Sequence, residues 1–180
     1  MELSTAIHLI EKGADRSNPS QVWFDLGSGE GLFSRALASL LDSSSTVFAI
    51  DRDPNALRRI PSTKGGASIQ KVVADFVSQA LPAEKVDGIL MANSFHYVQD
   101  KSAFLKKTAL HFKQHTTLLL VEYDTDTANP WVPYPLSFAT LQDFCRQMNL
   151  PEPVKLHEQP SLFRRANMYA AKVGVELQRG

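Results

Sequence analysis

Short apolar runs alternate with amphipathic segments along most of the chain. The apolar runs cover residues 22–24, 46–50, 69–74, 86–91 and 116–121. Near-continuous apolar runs of this length predict strands buried on both faces, and apolar residues at helical spacing predict helices between them. The alternation therefore indicates an α/β fold, a doubly wound and mostly parallel sheet with helices on both of its faces.

Two further strands are predicted near the end of the chain, over residues 154–159 and 168–175. The connection between them is too short for the crossover that a parallel pair needs, so they should run antiparallel. The predicted sheet then has seven strands and ends with an antiparallel one.

A glycine turn follows the first apolar run. Gly27, Gly29 and Gly31 occupy alternate positions, and a predicted helix begins directly after them. Glycine lets a ligand approach the backbone closely, and the helix directs its free N–H groups into the same space. We therefore expect a nucleotide-like ligand outside the carboxyl end of this strand.

The charges around the turn restrict which ligand this can be. Asp25 and Glu30 flank the glycines and would repel a pyrophosphate, whereas a ligand with an amino group and a positive sulfur is tolerated or attracted. Leu32 also stands where the dinucleotide pattern G-x-G-x-x-G has its third glycine. Both features disfavour a nicotinamide-dependent oxidoreductase, which remains the alternative enzyme.

Polar residues end the other strands of the predicted parallel sheet, where carboxyl ends share one edge. Asp75 and Asn93 end the third and fourth strands. Asp51 ends the second strand, 20 residues after Gly31, a position that suits hydrogen bonds from ribose hydroxyls. The alternative is that Asp51 caps the next helix, but Asp53, directly before a proline, is better placed for that role.

The stretch Asp-Leu-Gly-Ser-Gly-Glu-Gly at residues 25–31 resembles the first motif of the class I methyltransferases that use S-adenosylmethionine. The resemblance spans about residues 21–174 and implies a Rossmann-like methyltransferase fold with that cofactor. It implies that Asp25 orients the cofactor's amino group and that Asp75 and Phe76 contact the adenine. The expected cofactor-binding residues are Asp25, Gly27, Ser28, Gly29, Glu30, Asp51, Arg52, Asp75, Phe76 and Asn93.

Some of these residues also have a purely structural interpretation. Gly31 can serve helix–strand packing alone. Glu30 can be a solvated acid that favours the dipole at the start of the helix. Asp75 can be a loop carboxylate beside a core phenylalanine.

The segment after the fourth strand bears on the methyl acceptor. Residues 93–97 read Asn-Ser-Phe-His-Tyr and lack the N-P-P-[YF] pattern of methyltransferases that modify exocyclic amines of nucleobases or glutamine. The segment is more similar to the small-molecule branch related to ubiquinone and menaquinone methyltransferases. The resemblance thus implies methyl transfer to an oxygen, nitrogen or carbon of a small molecule.

His96 is the candidate catalytic residue in this segment. As an imidazole it could remove a proton from the acceptor near neutral pH; the alternative is a packed histidine. Aromatic and acidic side chains also follow the fifth strand, where they could line an aromatic acceptor pocket, or Trp131 and its neighbouring prolines could anchor a loop. They are Glu122, Tyr123, Trp131 and Tyr134.

Composition narrows the classes of partner. The 180 residues suggest one domain, residues 1–180. The charge is balanced, with 19 basic and 19 acidic residues, so we expect no nucleic-acid or membrane-surface partner. The pairs Arg58–Arg59 and Arg164–Arg165 are expected to be solvated. No apolar run approaches bilayer length, and residues 1–13 do not resemble a signal peptide.

The cysteine and the histidines of the sequence do not predict a metal-binding site. Cys145 is the single cysteine, which excludes intrachain disulfides and cysteine metal clusters and fits a cytoplasmic location. The histidines show no mutual spacing that suggests a metal site. Since the segment before the first strand leaves little material for a substrate lid, a cofactor-binding partner subunit without turnover is a further alternative.

Overall fold

The computed structural model describes residues 1–62, 65–82, 84–160 and 166–176. The helices are α1 (Leu3–Ile10), α2 (Leu32–Leu40), α3 (Pro54–Arg59), α4 (Lys101–Thr108) and α5 (Phe138–Gln147). The strands are β1 (Val22–Leu26), β2 (Thr46–Asp51), β3 (Ser68–Val73), β4 (Val86–Ala92), β5 (Phe112–Tyr123), β6 (Val154–Pro160) and β7 (Asn167–Glu176). Short 3-10 helices cover Phe95–Tyr97 and Ala109–His111. The expectation for Arg164 and Arg165 concerns positions outside the described residues.

The strands form one seven-stranded sheet in the order β3-β2-β1-β4-β5-β7-β6. The first five strands pair in parallel, and β7 runs antiparallel to both β5 and β6. The predicted fold class and the antiparallel end of the sheet are therefore confirmed. The chain moves outward from β1 to β3 and then returns to the other side of β1, which makes the β1–β4 boundary the topological switch point.

Both faces of the sheet are covered by helices. Leu118 and Leu120 on β5 belong to the apolar cluster shared with α4 and α5, whereas Leu119 belongs to the cluster shared with α1 and α2. Because successive side chains of a strand point to opposite faces, the central strands are buried twice. This explains why their sequences are nearly continuous apolar runs.

Side-chain caps fix where several helices begin. The Asp53 carboxylate accepts the Asn55 N–H at 2.8 Å, and Pro54 occupies the first helical position of α3. The Asp100 carboxylate accepts the Ala103 N–H at the start of α4, also at 2.8 Å. The capping role predicted for Asp53 is confirmed, and Asp100 plays the same role at α4.

The boundary between α4 and β5 differs from the sequence-based expectation. Apolar spacing from Ala103 to Phe112 predicts one helix, followed by a strand over residues 116–121. In the structure α4 ends at Thr108, and β5 already begins at Phe112. The added strand residues are held by pairing, Phe112 with Val86 of β4 and His115 with Glu176 of β7. Polar residues can extend a strand in this way without an apolar signal.

No helix in the described part of the chain has the length and apolar character needed to cross a membrane.

Candidate active site

A pocket of about 450 Å³ opens at the carboxyl ends of β1, β2 and β4, beside the topological switch point. Its volume is within the usual range for small-ligand and cofactor sites. Many of the sequence-predicted cofactor residues converge on it. The described residues that line it are Gly27, Asp51, Arg52, Asp75, Phe76, Val77, Asn93, Ser94 and Tyr97.

The glycine loop forms one wall of this pocket. The N–H groups of Gly27 and Ser28 both donate to the Ile50 carbonyl, at 2.8 and 3.1 Å, which fixes the loop to the end of β2. Gly27 has φ +79°, and a Cβ atom there would lie 2.5 Å from the Ser94 Cβ. Only glycine meets both constraints. At Gly31 a Cβ would lie 2.7 Å from Ile60, which supports the packing interpretation of that glycine.

Asp51 joins the loop to the second strand. Its Oδ2 accepts the Gly29 N–H at 2.8 Å, and its Oδ1 accepts the Asp53 N–H at 2.9 Å. The side-chain cap of α3 comes from Asp53, so Asp51 is not needed for it. A carboxylate offers about four acceptor positions, so Asp51 keeps capacity for hydroxyl donors from a ligand in the pocket.

Among the described residues, two buried polar atoms near the pocket make no hydrogen bond within that part of the chain. They are the Ser28 Oγ, in the glycine loop, and the Asn93 Oδ1, at the end of β4. The Asn93 backbone adopts φ +54°, and its N–H donates to the Val121 carbonyl at 2.8 Å. A buried polar atom left unpaired costs about 1–3 kcal/mol. A ligand rich in polar groups, such as S-adenosylmethionine, fits this arrangement because it can pair with both atoms.

Asp25 lies beneath the loop and is only 1% exposed. The Ser34 hydroxyl donates to its Oδ2 at 2.5 Å. Burial raises the pKa of the Asp25 carboxyl to about 7; the Ser34 hydrogen bond lowers it and the Asp51 charge raises it further. A ligand ammonium nearby would favour the ionised form. Its contact with the cofactor amino group, direct or through water, stays a prediction.

Asp75, Phe76 and Arg52 also line the pocket, and the Phe76 ring lies next to the glycine loop: a Cβ at Gly27 would be 3.2 Å from its Cε1. Partial burial raises the pKa of Asp75, but hydrogen bonds from Val77 and Ser78 and the charge of Arg52 outweigh it and keep the pKa below its usual value. The Phe76 ring packs edge-on against Phe104, with centroids 5.9 Å apart. This places an ionised carboxylate beside an apolar ring, which suits the amino edge and the face of an adenine.

Glu30 is not among the described residues that line the pocket. Its side chain is exposed and accepts from the Arg59 guanidinium on α3 at 2.5 Å. This observation supports the interpretation of Glu30 as a solvated acid, and its contact with the cofactor stays a prediction.

His96 lies in the 3-10 helix after β4 and is 2% exposed. Its Nδ1 is 2.7 Å from the Glu122 Oε2, and its backbone N–H donates to the Glu122 Oε1 at 3.2 Å. Sequence reasoning named Glu122 only as a possible wall of an acceptor pocket. The sequence does carry a signal for this pair. His96 and Glu122 each follow an apolar run, and the two strands that these runs form, β4 and β5, are neighbours in the sheet.

The pairing has a chemical consequence for the histidine. When a carboxylate accepts the Nδ1–H of a neutral imidazole, the lone pair resides on Nε2, the atom that can take a proton. His96 itself does not line the pocket, although its chain neighbours Ser94 and Tyr97 do among the described residues. The catalytic role of His96 therefore stays a prediction.

The segment after β5 is attached to the same 3-10 helix. The Tyr134 N–H donates to the His96 carbonyl at 3.0 Å, and the Lys101 ammonium donates to the Tyr134 carbonyl at 2.8 Å. Trp131, by contrast, is 71% exposed. The loop is thus anchored through the backbone of Tyr134, and the Trp131 side chain does not provide the anchor.

Comparisons with known proteins complete the description. The methyltransferase domain family model matches residues 24–120, just over half of the chain. The chain matches none of the curated proteins significantly.

Solved structures share its fold. A methyltransferase dependent on S-adenosylmethionine from Methanosarcina mazei is 16% identical with a TM-score of 0.65, over 89% of this chain and 95% of that one. Another from Aquifex aeolicus is 14% identical with a TM-score of 0.63, over 97% of each chain. The plantazolicin methyltransferase BpumL, solved with S-adenosylhomocysteine, is 12% identical with a TM-score of 0.62, over 95% of this chain and 82% of that one.

At these identities the structural matches establish the fold, and the family match establishes the class, which favours a methyltransferase over a nicotinamide-dependent oxidoreductase. The chain therefore belongs to the methyltransferase domain family, and its cofactor is S-adenosylmethionine.

Proposed function

We propose that the protein transfers a methyl group from S-adenosylmethionine to an oxygen, nitrogen or carbon of a small-molecule acceptor. The observation that carries this proposal is the convergence of the glycine loop, Asp51, Asp75 and Asn93 on one pocket. The cofactor supplies an electrophilic methyl group on a positively charged sulfur. Holding the acceptor in line with that methyl group accounts for most of the expected rate enhancement.

Each part of the cofactor has a candidate partner. Asp51 would accept hydrogen bonds from the ribose hydroxyls, and Asp75 with Phe76 would hold the adenine. Asp25 would orient the amino group from beneath the loop. The unpaired atoms of Ser28 and Asn93 would bind polar groups of the methionine part, next to the sulfur.

The rim of the pocket supports a small and partly apolar acceptor. Tyr97 lines the pocket and is half exposed, and Tyr123, the last residue of β5, interacts electrostatically with it. Burial raises the pKa of the Tyr123 hydroxyl, and the charges of Glu122 and Tyr97 raise it further. Tyr123 therefore remains a neutral phenol that can donate a hydrogen bond to an acceptor oxygen. More narrowly, we propose a quinone-like molecule as the acceptor.

His96 is proposed as the base for acceptors that must lose a proton. Its orientation is held by Glu122 on β5, and its neighbours Ser94 and Tyr97 line the pocket. A base is needed for a phenol or an acidic carbon and is dispensable for an amine that is already neutral.

We propose the cytoplasm as the location. The single cysteine, Cys145, is buried, and burial raises the pKa of its thiol to about 11, helped by the charge of Glu152. Such a thiol is protected from oxidation, and a chain without a disulfide does not need an oxidising compartment.

The direct test is the release of S-adenosylhomocysteine with panels of phenols, quinols, amines, peptides and RNA. The proposal expects turnover with one or more small molecules and none with the peptides or RNA. Turnover with only the macromolecules would overturn the acceptor class. Tight cofactor binding without turnover on any panel would favour the alternative of a partner subunit.

A further inference from the structure

Helix α1 and strand β6 meet at a group of two histidines and a glutamate. The rings of His8 and His157 have centroids 4.1 Å apart, and the His8 Nδ1 is 3.1 Å from the Glu11 Oε1. One ligand atom from each of the three side chains lies within 4.8 Å of the others. The group lies at the edge strand of the sheet, away from the cofactor pocket.

The fold builds this group in two steps. His8 and Glu11 are three residues apart at the end of α1, so they share one side of the helix. On β6 the pairing passes from Lys155–Ala171 to His157–Ala170, which leaves Leu156 as the extra residue of a β-bulge. Such bulges redirect side chains at sheet edges.

The bulge explains why His157 faces α1. Lys155 lies over the Phe138 ring in the layer of α5, and Leu156 packs in the opposite layer, with α1. In a regular strand, side chains two residues apart point to the same face, so His157 would lie on the same face as Lys155 and Phe138. With the bulge, Leu156 and His157 both reach α1. The sequence alone gives no hint of this, because His8 and His157 lie near opposite ends of the chain.

One atom of the group lacks a partner. The Nε2 of His157 is buried and makes no hydrogen bond among the described residues. An imidazole nitrogen without a hydrogen-bond partner is available to ligate a metal ion when the ring is neutral.

We propose that His8, Glu11 and His157 form a binding site for a divalent transition metal ion of the class of Zn²⁺ and Co²⁺. Two imidazoles and one carboxylate are ligands that these ions accept, and water completes the coordination. The His8 side chain is 66% exposed, so it can turn to bring its nitrogen closer to that of His157. A bound ion would connect α1 to the edge strand. This proposal is independent of the proposed acceptor and of His96.

The test uses the full chain without an affinity tag, freed of metal by a chelator and titrated with Zn²⁺ by calorimetry and with Co²⁺ by visible absorption. The wild type should bind one ion per chain, and Zn²⁺ should raise its Tm. His8→Ala and His157→Ala should each lose about tenfold or more in affinity, a change of about 1.4 kcal/mol.

The matched control is His115→Ala, since His115 is an exposed histidine on β5 beside Glu176. It should bind Zn²⁺ like the wild type. His8→Ala alters an exposed side chain and should fold normally, which circular dichroism and the affinity for S-adenosylhomocysteine will verify. Absence of stoichiometric binding to the wild type, or equal affinity in His8→Ala and His115→Ala, would overturn the proposal.

Discussion

Three aspartates around the cofactor pocket have different properties because their surroundings differ. Asp25 is buried beneath the glycine loop, which raises the pKa of its carboxyl. Asp51 accepts two backbone N–H groups and faces the pocket. Asp53 is exposed and caps α3. Depth and partners thus set what each carboxylate can do: Asp53 starts a helix, whereas the proposed roles of Asp25 and Asp51 are to respond to the ligand charge and to bind hydroxyl groups.

The raised pKa of Asp25 makes stability depend on pH. The folded state keeps the carboxyl protonated up to about pH 7, whereas its ordinary value is 3.8, so the folded chain binds more protons between these limits. Stability from this group is present below pH 4 and lost as the pH rises through 7. Between pH 5 and 8, the wild type should lose about 2–3 kcal/mol more unfolding free energy than Asp25→Asn. Denaturant titrations without cofactor measure this, and parallel pH profiles would contradict it.

The pair of His96 and Glu122 gives a second residue-scale prediction. With an acceptor that must lose a proton, His96→Gln should lower kcat by about 100-fold or more. Glu122→Gln should lower kcat less and shift the pH–rate profile, because the amide holds the imidazole without its charge. Activity of His96→Gln should recover at alkaline pH, where the acceptor ionises unaided.

The control for this prediction is the affinity for S-adenosylhomocysteine, measured on the same variants. It should stay within about twofold of the wild type, a difference below 0.5 kcal/mol. An unchanged kcat in His96→Gln would contradict a catalytic role and would show that His96 serves only packing.

At the scale of elements, the turn from β1 to α2 carries the strictest local requirements. Gly27 combines a positive φ with close contact to Ser94, and both come from the approach of β1 to the segment after β4. The turn is therefore held by tertiary contacts as well as by its own sequence. Its glycines and the start of α2 could be predicted from the sequence, but the contact with Ser94 could not.

Replacement of this glycine should affect both folding and the site. Gly27→Ala adds a methyl group to a positive-φ position against the Ser94 side chain, so the unfolding free energy should fall by about 2 kcal/mol or more. Gly174→Ala on β7 is the control, since a Cβ there meets no atom of the described residues within 4 Å and its φ is not positive. It should stay within about 0.5 kcal/mol of the wild type in urea titrations. Equal stability of the two variants would contradict this account of the turn.

The strands were predictable to different degrees. The runs that became β1, β2 and β4 are buried on both faces, and their apolar sequences reveal them. The start of β5 was missed because residues 113–115 are Lys-Gln-His and carry no apolar pattern; the strand is extended by pairing of Phe112 with β4 and of His115 with β7. The bulge on β6 could not be predicted either, since it depends on the partner strand.

At the scale of the whole molecule, the strand order assembles the site. Because β2, β1, β4 and β5 are consecutive in the sheet, the ends that carry Asp51, the glycine loop, Asn93 and Glu122 lie side by side. The polar residue that ends each strand could be predicted from the sequence, as could their common edge. The contact between His96 and Glu122 required the structure, because it joins segments of two different strands.

The carboxyl edge of the sheet carries most of the residues proposed to bind the cofactor, but fewer of those proposed to bind the acceptor. The acceptor side that we propose consists of the 3-10 helix Phe95–Tyr97, the end of β5 and the segment after it. Family membership supports the cofactor, whereas the proposed acceptor side rests on side chains such as Tyr97 and Tyr123. The acceptor class therefore stays a proposal on the properties of those side chains.

The central claim is that this pocket binds S-adenosylmethionine through the glycine loop and Asp51. Calorimetric titration with S-adenosylhomocysteine tests it on the wild type, Asp51→Ala and Asp53→Ala. The account predicts one site per chain, about tenfold or more weaker binding in Asp51→Ala, and unchanged affinity in Asp53→Ala, which loses only about 1 kcal/mol of stability from its helix cap. Equal affinity in Asp51→Ala and the wild type, or binding of NADH in place of S-adenosylhomocysteine, would contradict it.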